Sequence, residues 1–306
     1  MTAKQEIETK SNFETGRIKS SFITSLRRGR YNIRSSIGDL IDNSQDAGAS
    51  NVYIKFDGPF KCIESITIID DGTGMDEETL LGSYTLGFER SRKNTELGKF
   101  GVGGTLGSLG VAGKKLTITR DKSKRLIARQ YCIDKIKQND EWGTEAVQVE
   151  AWMKDLLDSY IGANNTGTAI VLSNFDLNNF GRRKDNLINT LTKYLGTTYC
   201  EMIAQDVLTI HIDEKIVEPN DPLCCWDPKT REAVDQIIPG TNTRIRVVDL
   251  GDTETGVSKE VSGSRLKNAG GYVFRSRRLI QKNLHSGNQL WGSKLPPNHS
   301  MYDSLR

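Results

Sequence analysis

Histidine is scarce in this sequence. The 306 residues include only three, His211, His285 and His299, and these are widely separated. A histidine-based metal centre needs several such ligands close together, and a nucleophilic triad needs a histidine paired with a serine or a cysteine. This spacing argues against both kinds of site.

Cysteine gives no structural framework either. The five cysteines are odd in number, and Cys224 and Cys225 are adjacent, which suits neither a zinc knuckle nor a set of disulfides. Reduced thiols of this kind predict a cytoplasmic protein.

Long apolar runs are also missing. No segment approaches the length of a membrane-spanning helix, and the polar N-terminus lacks the apolar core of a signal peptide, so we expect no membrane partner. The net charge of +3 is too small to indicate nucleic-acid binding by itself. The basic clusters near residues 27–34, 120–129 and 275–278 are interpreted as solvated faces.

The chain does contain a succession of short strands and helices. Their order predicts an α+β fold, with helices on one face of a mixed, mostly antiparallel sheet. We predict an N-terminal arm over residues 1–30, a first domain over 31–175 and a second over 176–306, whose abrupt end favours a fragment of a longer protein. The predicted strands are 51–57, 63–69, 114–120, 126–133, 147–153, 168–172, 207–212, 244–250 and 271–280, and the main predicted helices are 38–47, 76–84 and 184–202.

Residues 38–47, Gly-Asp-Leu-Ile-Asp-Asn-Ser-Gln-Asp-Ala, are the most informative stretch. On a helix of about 3.6 residues per turn, Asp39, Asn43 and Asp46 lie on one side, and Asp42 falls next to Asn43. Acidic residues are rarely buried without a partner or a metal, so a helix that directs several short polar groups one way predicts a binding site. The alternative is a solvated helix face.

A second motif follows the predicted strand 63–69. The sequence Asp-Asp-Gly-Thr-Gly-Met places Gly72, Gly74 and Met75 just after Asp70. Glycine lacks a Cβ, so a flat ring can lie against this backbone, and the Asp70 carboxylate can accept a hydrogen bond from an exocyclic amine such as that of adenine. Taken alone, an ordinary Asp-Gly turn is the simpler interpretation.

Residues 98–104, Gly-Lys-Phe-Gly-Val-Gly-Gly, open a glycine-rich segment. Its backbone N–H groups could gather around phosphate oxygens, ideally at a helix N-terminus, although flexible loops share the pattern. It lacks the Gly-Lys-Ser/Thr tail of a Walker A loop, and no strand leads into it as a dinucleotide-binding fingerprint requires. A Gly-Thr pair at 167–168, before a late strand, carries no signal by itself.

In combination, these four features resemble the GHKL superfamily, which groups gyrase, heat-shock-type chaperones, histidine kinases and MutL around the Bergerat ATP-binding fold. The polar helix, the Asp-x-Gly-x-Gly motif, the glycine-rich segment and the Gly-Thr pair occur in one order over roughly residues 30–175. The resemblance implies a two-layer α/β sandwich that binds ATP with Mg²⁺.

The resemblance also implies a role for each matching residue. Asn43 would hold the Mg²⁺ that bridges the phosphates, since its carbonyl oxygen is a hard ligand. Asp70 would bind the adenine amino group, directly and through water, and Thr168 would hydrogen-bond near the adenine end. The other residues would line the cavity, namely Asp46, Ala47, Gly72, Gly74 and Met75, or form the lid over the phosphates, namely Gly98, Lys99, Phe100, Gly101, Val102, Gly103 and Gly104.

Asp39 is a departure from the family pattern. ATPases of this superfamily usually carry glutamate there, as the general base that activates or orients the attacking water. Aspartate is one methylene shorter, and a general base must reach within about 3 Å, directly or through one water. We therefore expect Asp39 to be catalytic but hydrolysis to be slow. In the alternative, Asp39 only supports the magnesium site.

The second half resembles the transducer domain of the split ATPases. Residues 184–222 carry this likeness, and residues 270–280 look most like the corresponding strand of MORC-type ATPases. A transducer supplies a lysine to the γ-phosphate. Lys282 and Lys294 are the candidates, unless the lysine lies beyond Arg306.

Three functional hypotheses follow. The first is a MORC-like or MutL-like ATPase in which ATP binding closes a lid and drives homodimerisation, hydrolysis to ADP releases the protomers, and the partner is DNA by analogy. The second is a nucleotide-gated interaction module that binds ATP with little hydrolysis, with a chaperone-like ATPase as a further alternative. The third is a structural scaffold with an acidic surface helix.

Overall fold

The structure is a computed structural model that describes residues 17–27, 32–59, 62–85, 97, 103–175, 183–251, 254–263, 268 and 270–284. The helices in these ranges are α1 (Ser20–Arg27), α2 (Ile33–Asp46), α3 (Glu77–Gly82), α4 (Gly103–Val111), α5 (Ile133–Asn139), α6 (Ala151–Ile161), α7 (Lys184–Thr198), α8 (Cys200–Ala204) and α9 (Lys259–Ser262). The strands are β1 (Asn51–Asp57), β2 (Ser65–Asp70), β3 (Ala112–Arg120), β4 (Leu126–Cys132), β5 (Glu145–Val147), β6 (Gly167–Phe175), β7 (Thr209–Ile212), β8 (Lys215–Ile216), β9 (Arg231–Ile237), β10 (Arg244–Asp249), β11 (Gly271–Arg275) and β12 (Arg278–Leu284).

Eight of the described strands form one sheet in the order β5-β4-β3-β6-β2-β1-β7-β8. Neighbouring strands are antiparallel except β1 and β7, which are parallel. The remaining strands pair as two separate antiparallel ribbons, β9 with β10 and β11 with β12. The predicted α+β fold with a mixed, mostly antiparallel sheet is confirmed, and it is a Bergerat-type arrangement.

The two faces of the sheet are covered by different helices. Alternate residues of a strand point to opposite faces, so Ile68 of β2 packs with α2 and α7, and Ile69 packs with α6. Helices therefore cover one face as expected, and α6 adds a layer on the other. The buried residues that α2 and α7 bring to the first face are Ile37, Leu40, Ile41, Leu187, Leu191 and Leu195, and those that α6 brings to the second are Met153, Leu157 and Ile161.

The sheet and its core continue past residue 175. Strand β7 pairs with β1 in the register Val52 to Ile210, and Tyr199 and Val217 belong to the same buried cluster as α2. A domain boundary near residue 175 stays a prediction. It would fall between β6 and the later elements that complete the same sheet.

Two predicted strands are wrong in detail. Residues 147–153 are not one strand, because β5 ends at Val147 and α6 begins at Ala151, where apolar side chains recur at the helical spacing. Residues 271–280 are not one strand but part of a hairpin. Ser276 and Arg277 turn the chain with φ of 47° and 65°, and neither residue type signals such a turn in the sequence.

Candidate functional site

Helix α2 supplies the polar side chains that the sequence singled out. It starts after Asn32, whose side chain accepts a hydrogen bond from the Ser35 amide at 3.0 Å and so caps the helix. Its apolar residues are buried against the sheet, which leaves Asp39 half-buried, Asn43 exposed and Asp46 half-buried.

The helical spacing predicts that Asp42 lies next to Asn43 on the polar face, and this prediction is wrong. It is buried on the core side, where its Oδ1 atom lies 2.6 Å from Arg278 Nε and 2.7 Å from the Tyr199 hydroxyl. Burial raises the pKa of Asp42 to about 6, against the opposing effects of Arg278 and Tyr199. A difference of one position on a helix is enough to move a side chain from the site to the core.

Asp39 faces α4 at close range. A Cβ added to Gly107 would lie 3.5 Å from Asp39 Oδ2, and Ser36 Oγ donates a hydrogen bond of 2.9 Å to the Gly107 carbonyl. Burial raises the pKa of Asp39 above its ordinary value, and the positive charge of Arg278 partly offsets this. A carboxylate with a raised pKa is a stronger base, which suits the predicted role.

The N-terminus of α4 lies against Asn43. Gly103 begins this helix, and a Cβ on Gly104 would lie 2.5 Å from Asn43 Nδ2, so a side chain at residue 104 would displace the Asn43 amide. The first amides of a helix have no partner within the helix, and together with the helix dipole they favour an anion. The arrangement can therefore hold a phosphate group beside Asn43.

Asp70 lies at the end of β2, buried between α2 and the following loop. Its Oδ2 atom accepts a hydrogen bond from Ser44 Oγ at 2.9 Å, and its Oδ1 atom accepts one from the Gly72 amide at 3.0 Å. Burial raises the pKa of Asp70 to about 6, although these hydrogen bonds oppose the shift. A carboxylate offers about four acceptor positions, so Asp70 retains capacity for a ligand.

The loop after Asp70 is held to its neighbours by backbone contacts. The Thr73 amide donates to the Ala47 carbonyl at 3.0 Å, which joins the loop to the end of α2. The Met75 amide donates to Thr119 Oγ1 at 2.9 Å, and that hydroxyl lies 3.1 Å from the hydroxyl of the buried Thr168. Asp70 and Thr168 are direct partners across β2 and β6. The structure thus brings Ala47, Asp70, Met75 and Thr168 together.

Asp46 contacts the start of the glycine-rich segment. Its Oδ1 atom accepts a hydrogen bond of 2.7 Å from the amide of Leu97, the residue before Gly98. The predicted lid residues Gly98, Lys99, Phe100, Gly101 and Val102 lie outside the described residues.

Gly74 is required by its backbone and by its surroundings. Gly74 and Gly48 both have left-handed backbones, with φ of 66° and 75°, but a Cβ at Gly74 would overlap the carbonyl oxygen of Arg120, whereas one at Gly48 would meet nothing within 4 Å. We expect Gly48→Ala to lower the free energy of unfolding by about 1 kcal/mol and Gly74→Ala by about 3 kcal/mol. Urea unfolding of the two variants measures the difference, and equal losses would contradict a steric role for this position.

Sequence reasoning missed three hydroxyl groups around Asp70. Ser44 lies inside the polar helix motif and was visible there, although nothing indicated that it turns inward. Thr119 and Thr166 come to the site through the register of β3 and through the hydrogen bond of 2.7 Å from Thr166 Oγ1 to the Gly72 carbonyl. Contacts between residues so far apart in the sequence leave no local sequence pattern from which they could be predicted.

The residues present fit a magnesium ion that is held mainly by a nucleotide. In the part of the chain that the structure describes, no group of three or more His, Cys, Asp or Glu residues could hold a metal. Mg²⁺ normally takes one or two protein ligands and completes its shell with phosphate oxygens and water. An exposed Asn43 beside the N-terminus of α4 matches that need.

The fold is an α+β arrangement of the Bergerat type. Residues 31–163 match the family model of histidine kinase-, DNA gyrase B-, and HSP90-like ATPases. The match covers less than half of the chain and supports an ATP-binding ATPase domain of the GHKL type over this segment. No curated protein matches the sequence. Among the described helices, none has the length and apolar character that a bilayer crossing requires.

Proposed function

We propose that this protein binds ATP with Mg²⁺ between α2, α4 and the loop after β2, and hydrolyses it slowly. The observation that carries the proposal is the position of Asn43. This residue is exposed on α2 and lies beside the N-terminus of α4. The next residue of α2, Ser44, donates a hydrogen bond to the buried Asp70. The end of this region near Asn43 suits phosphates, and the end near Asp70 suits an amine donor.

Each residue would then have one task. The amino group of adenine would donate to Asp70, with Gly72, Gly74 and Met75 shaping the base pocket and Thr168 bonding nearby. Asn43 would hold Mg²⁺, which neutralises phosphate charge when bound. Asp39 would accept a proton from the attacking water or orient it. Gly103 and Gly104 would direct amides toward the phosphates, and residues 98–102 would complete the lid.

Dimerisation on ATP binding, with a MORC-like or MutL-like architecture, belongs to the same proposal. Its support is the sequence resemblance of residues 184–222 and 270–280 to a transducer, although residues 271–280 form part of a hairpin and not a single strand. A ligand that binds only the dimerised state favours that state in proportion to its differential affinity. DNA as the partner rests on analogy with those families alone.

A binder with little turnover is the second candidate. The observation that favours it is Asp39 itself, one methylene shorter than the usual glutamate. Lys282 is one of the two candidates for the transducer lysine. It lies exposed on β12. The protein would then act as a nucleotide-gated interaction module.

ATP binding tests the proposal through Asp70. We expect Asp70→Asn to weaken Mg-ATP binding by about 10- to 100-fold, since a charged acceptor in a buried site is replaced by a neutral amide whose NH₂ group also opposes an amine donor. Because the pKa of Asp70 is about 6, its carboxylate accepts above that pH and becomes protonated below it, so affinity should fall as the pH drops through 6. Isothermal titration calorimetry across this range measures both effects.

The matched control is Asp76→Asn. Asp76 is exposed and caps α3, and asparagine caps a helix equally well, so this variant should bind like the wild type. A pH profile unchanged by Asp70→Asn would place adenine elsewhere. Wild-type protein that binds no ATP at any pH would reject the proposed function.

A further inference from the structure

The hairpin formed by β11 and β12 reaches back to the rear of α2. Arg278 Nε lies 2.6 Å from Asp42 Oδ1, and the two side chains are only 12% and 10% exposed. The Arg278 guanidinium also lies over the ring of Tyr199, at 5.8 Å from its centroid. This ion pair joins two elements that are far apart in the sequence, and removing one partner would leave the other charge uncompensated in a mostly buried place.

Tyr199 and Gly38 complete this contact. The Tyr199 hydroxyl lies 2.8 Å from the Gly38 carbonyl oxygen as well as 2.7 Å from Asp42 Oδ1. A Cβ on Gly38 would lie 3.2 Å from the Tyr194 hydroxyl and 3.6 Å from Arg278 Nη2. The missing side chain leaves room for the Tyr194 hydroxyl of α7 beside α2, whereas the distance to Arg278 is an ordinary contact.

A second arginine of the hairpin reaches the other end of the site. Arg275 Nη2 donates a hydrogen bond to the Leu97 carbonyl, and the amide of the same Leu97 donates to Asp46. Leu97 is buried and immediately precedes the glycine-rich segment. One hairpin therefore contacts both the helix that carries Asp39 and Asn43 and the residue that leads into the predicted phosphate segment.

We propose that the β11–β12 hairpin is a positioning element of the ATP site, in which Arg278 sets the orientation of α2 through Asp42, and Arg275 fixes Leu97. This inference rests on the proposed function. Within the described residues, the contacts that these arginines make are with Asp42, Tyr199 and Leu97, and Arg278 acts on Asp39 only through its charge, so both are positioning residues. Through these contacts, residues 271–284 position α2 and Leu97 at the proposed nucleotide site.

The position of Asp39 depends on the contact between Arg278 and Asp42. Asp42 is three residues from Asp39 on the same helix, so a rotation or shift of α2 at Asp42 also moves the Asp39 carboxylate. A displacement of about 1 Å at a reacting group lowers the rate by roughly 100-fold. Loss of the Arg278 contact should therefore reduce kcat more than it reduces ATP affinity.

The experiment compares Arg278→Met with Arg277→Met. Arg277 is the exposed neighbour in the hairpin turn, which makes it a matched control. We expect Arg278→Met to lower kcat by about 10- to 100-fold with KM and the Kd of Mg-ATP changed by less than about threefold. Arg278→Lys should recover part of the rate, and Arg277→Met should behave as the wild type.

A double variant separates positioning from folding. Arg278→Met leaves the buried Asp42 without its ion-pair partner, so Asp42→Asn combined with Arg278→Met removes both charges and should restore the melting temperature but not kcat. If the double variant recovers kcat as well, Arg278 serves only the fold and the inference is wrong. Wild-type kcat in Arg278→Met would overturn it equally.

Hydrogen exchange of α2 provides a readout that does not need turnover. Mg-ATP should protect the amides of residues 39–46 in the wild type and in Arg277→Met, and this protection should be reduced in Arg278→Met. Equal protection in all three proteins would refute the positioning role. Wild-type protein that neither binds ATP nor gains protection would instead reject the proposed function.

Discussion

Asp39→Ala is expected to lower the kcat of Mg-ATP hydrolysis by about 100- to 10,000-fold, the range that a positioned general base contributes. KM for ATP should change much less, because Asp39 is assigned to the attacking water and not to the nucleotide. Burial raises the pKa of Asp39, which strengthens it as a base, and α4 passes close to its carboxylate. Phosphate release at saturating ATP measures the effect.

Two further substitutions distinguish the roles of Asp39. Asp39→Asn keeps the size and polarity of the side chain but removes its basicity, so it should be as slow as Asp39→Ala if the carboxylate takes a proton. Asp39→Glu restores the usual length and should turn over at least as fast as the wild type. If Asp39→Asn retains wild-type kcat, Asp39 only supports the magnesium site.

Local patterns predicted most of what positions this site. Alternation and apolar runs predicted β1 and β2, and β2 ends at Asp70, where a buried strand meets a loop with two glycines. At Gly74 a Cβ would overlap a backbone carbonyl and at Gly104 it would lie close to the Asn43 side chain, while the approach of a ligand to these glycines stays a prediction. These features depend on neighbours in the sequence, and so they can be read from it.

Contacts over long separations could not be predicted in the same way. The prediction that Asp42 lies beside Asn43 is wrong because helical spacing alone does not say which side of the helix faces the core. The contacts of Asp42 with Tyr199 and Arg278 show that side. The sequence predicts one strand for the hairpin that contains Arg275 and Arg278, since its turn has no glycine. The positioning of α2 by the C-terminal segment was therefore absent from the sequence interpretation.

Asn43→Ala is expected to remove the effect of magnesium on ATP binding. In the wild type, Mg²⁺ should raise ATP affinity, and in the variant the affinity with and without Mg²⁺ should become nearly equal. We expect Mg-ATP binding to weaken by about 100-fold, because even residues that only support a metal ligand contribute about 10- to 100-fold. Titration calorimetry with MgCl₂ or with EDTA measures this coupling directly.

Unfolding cannot explain such a loss. Asn43 is exposed on α2, and alanine has a higher helix propensity than asparagine, so the nucleotide-free variant should melt at the same temperature as the wild type or slightly higher. Arg34→Ala, an exposed change in the first turn of the same helix, should leave the magnesium effect intact.

Asn43 holds the metal in both the hydrolysing and the non-hydrolysing version of the proposed function. Its replacement should therefore also abolish ATP-induced dimers in sedimentation experiments, whereas Asp39→Ala should spare them. A magnesium effect that persists in Asn43→Ala would move the metal site away from α2 and contradict the assignment on which both versions depend.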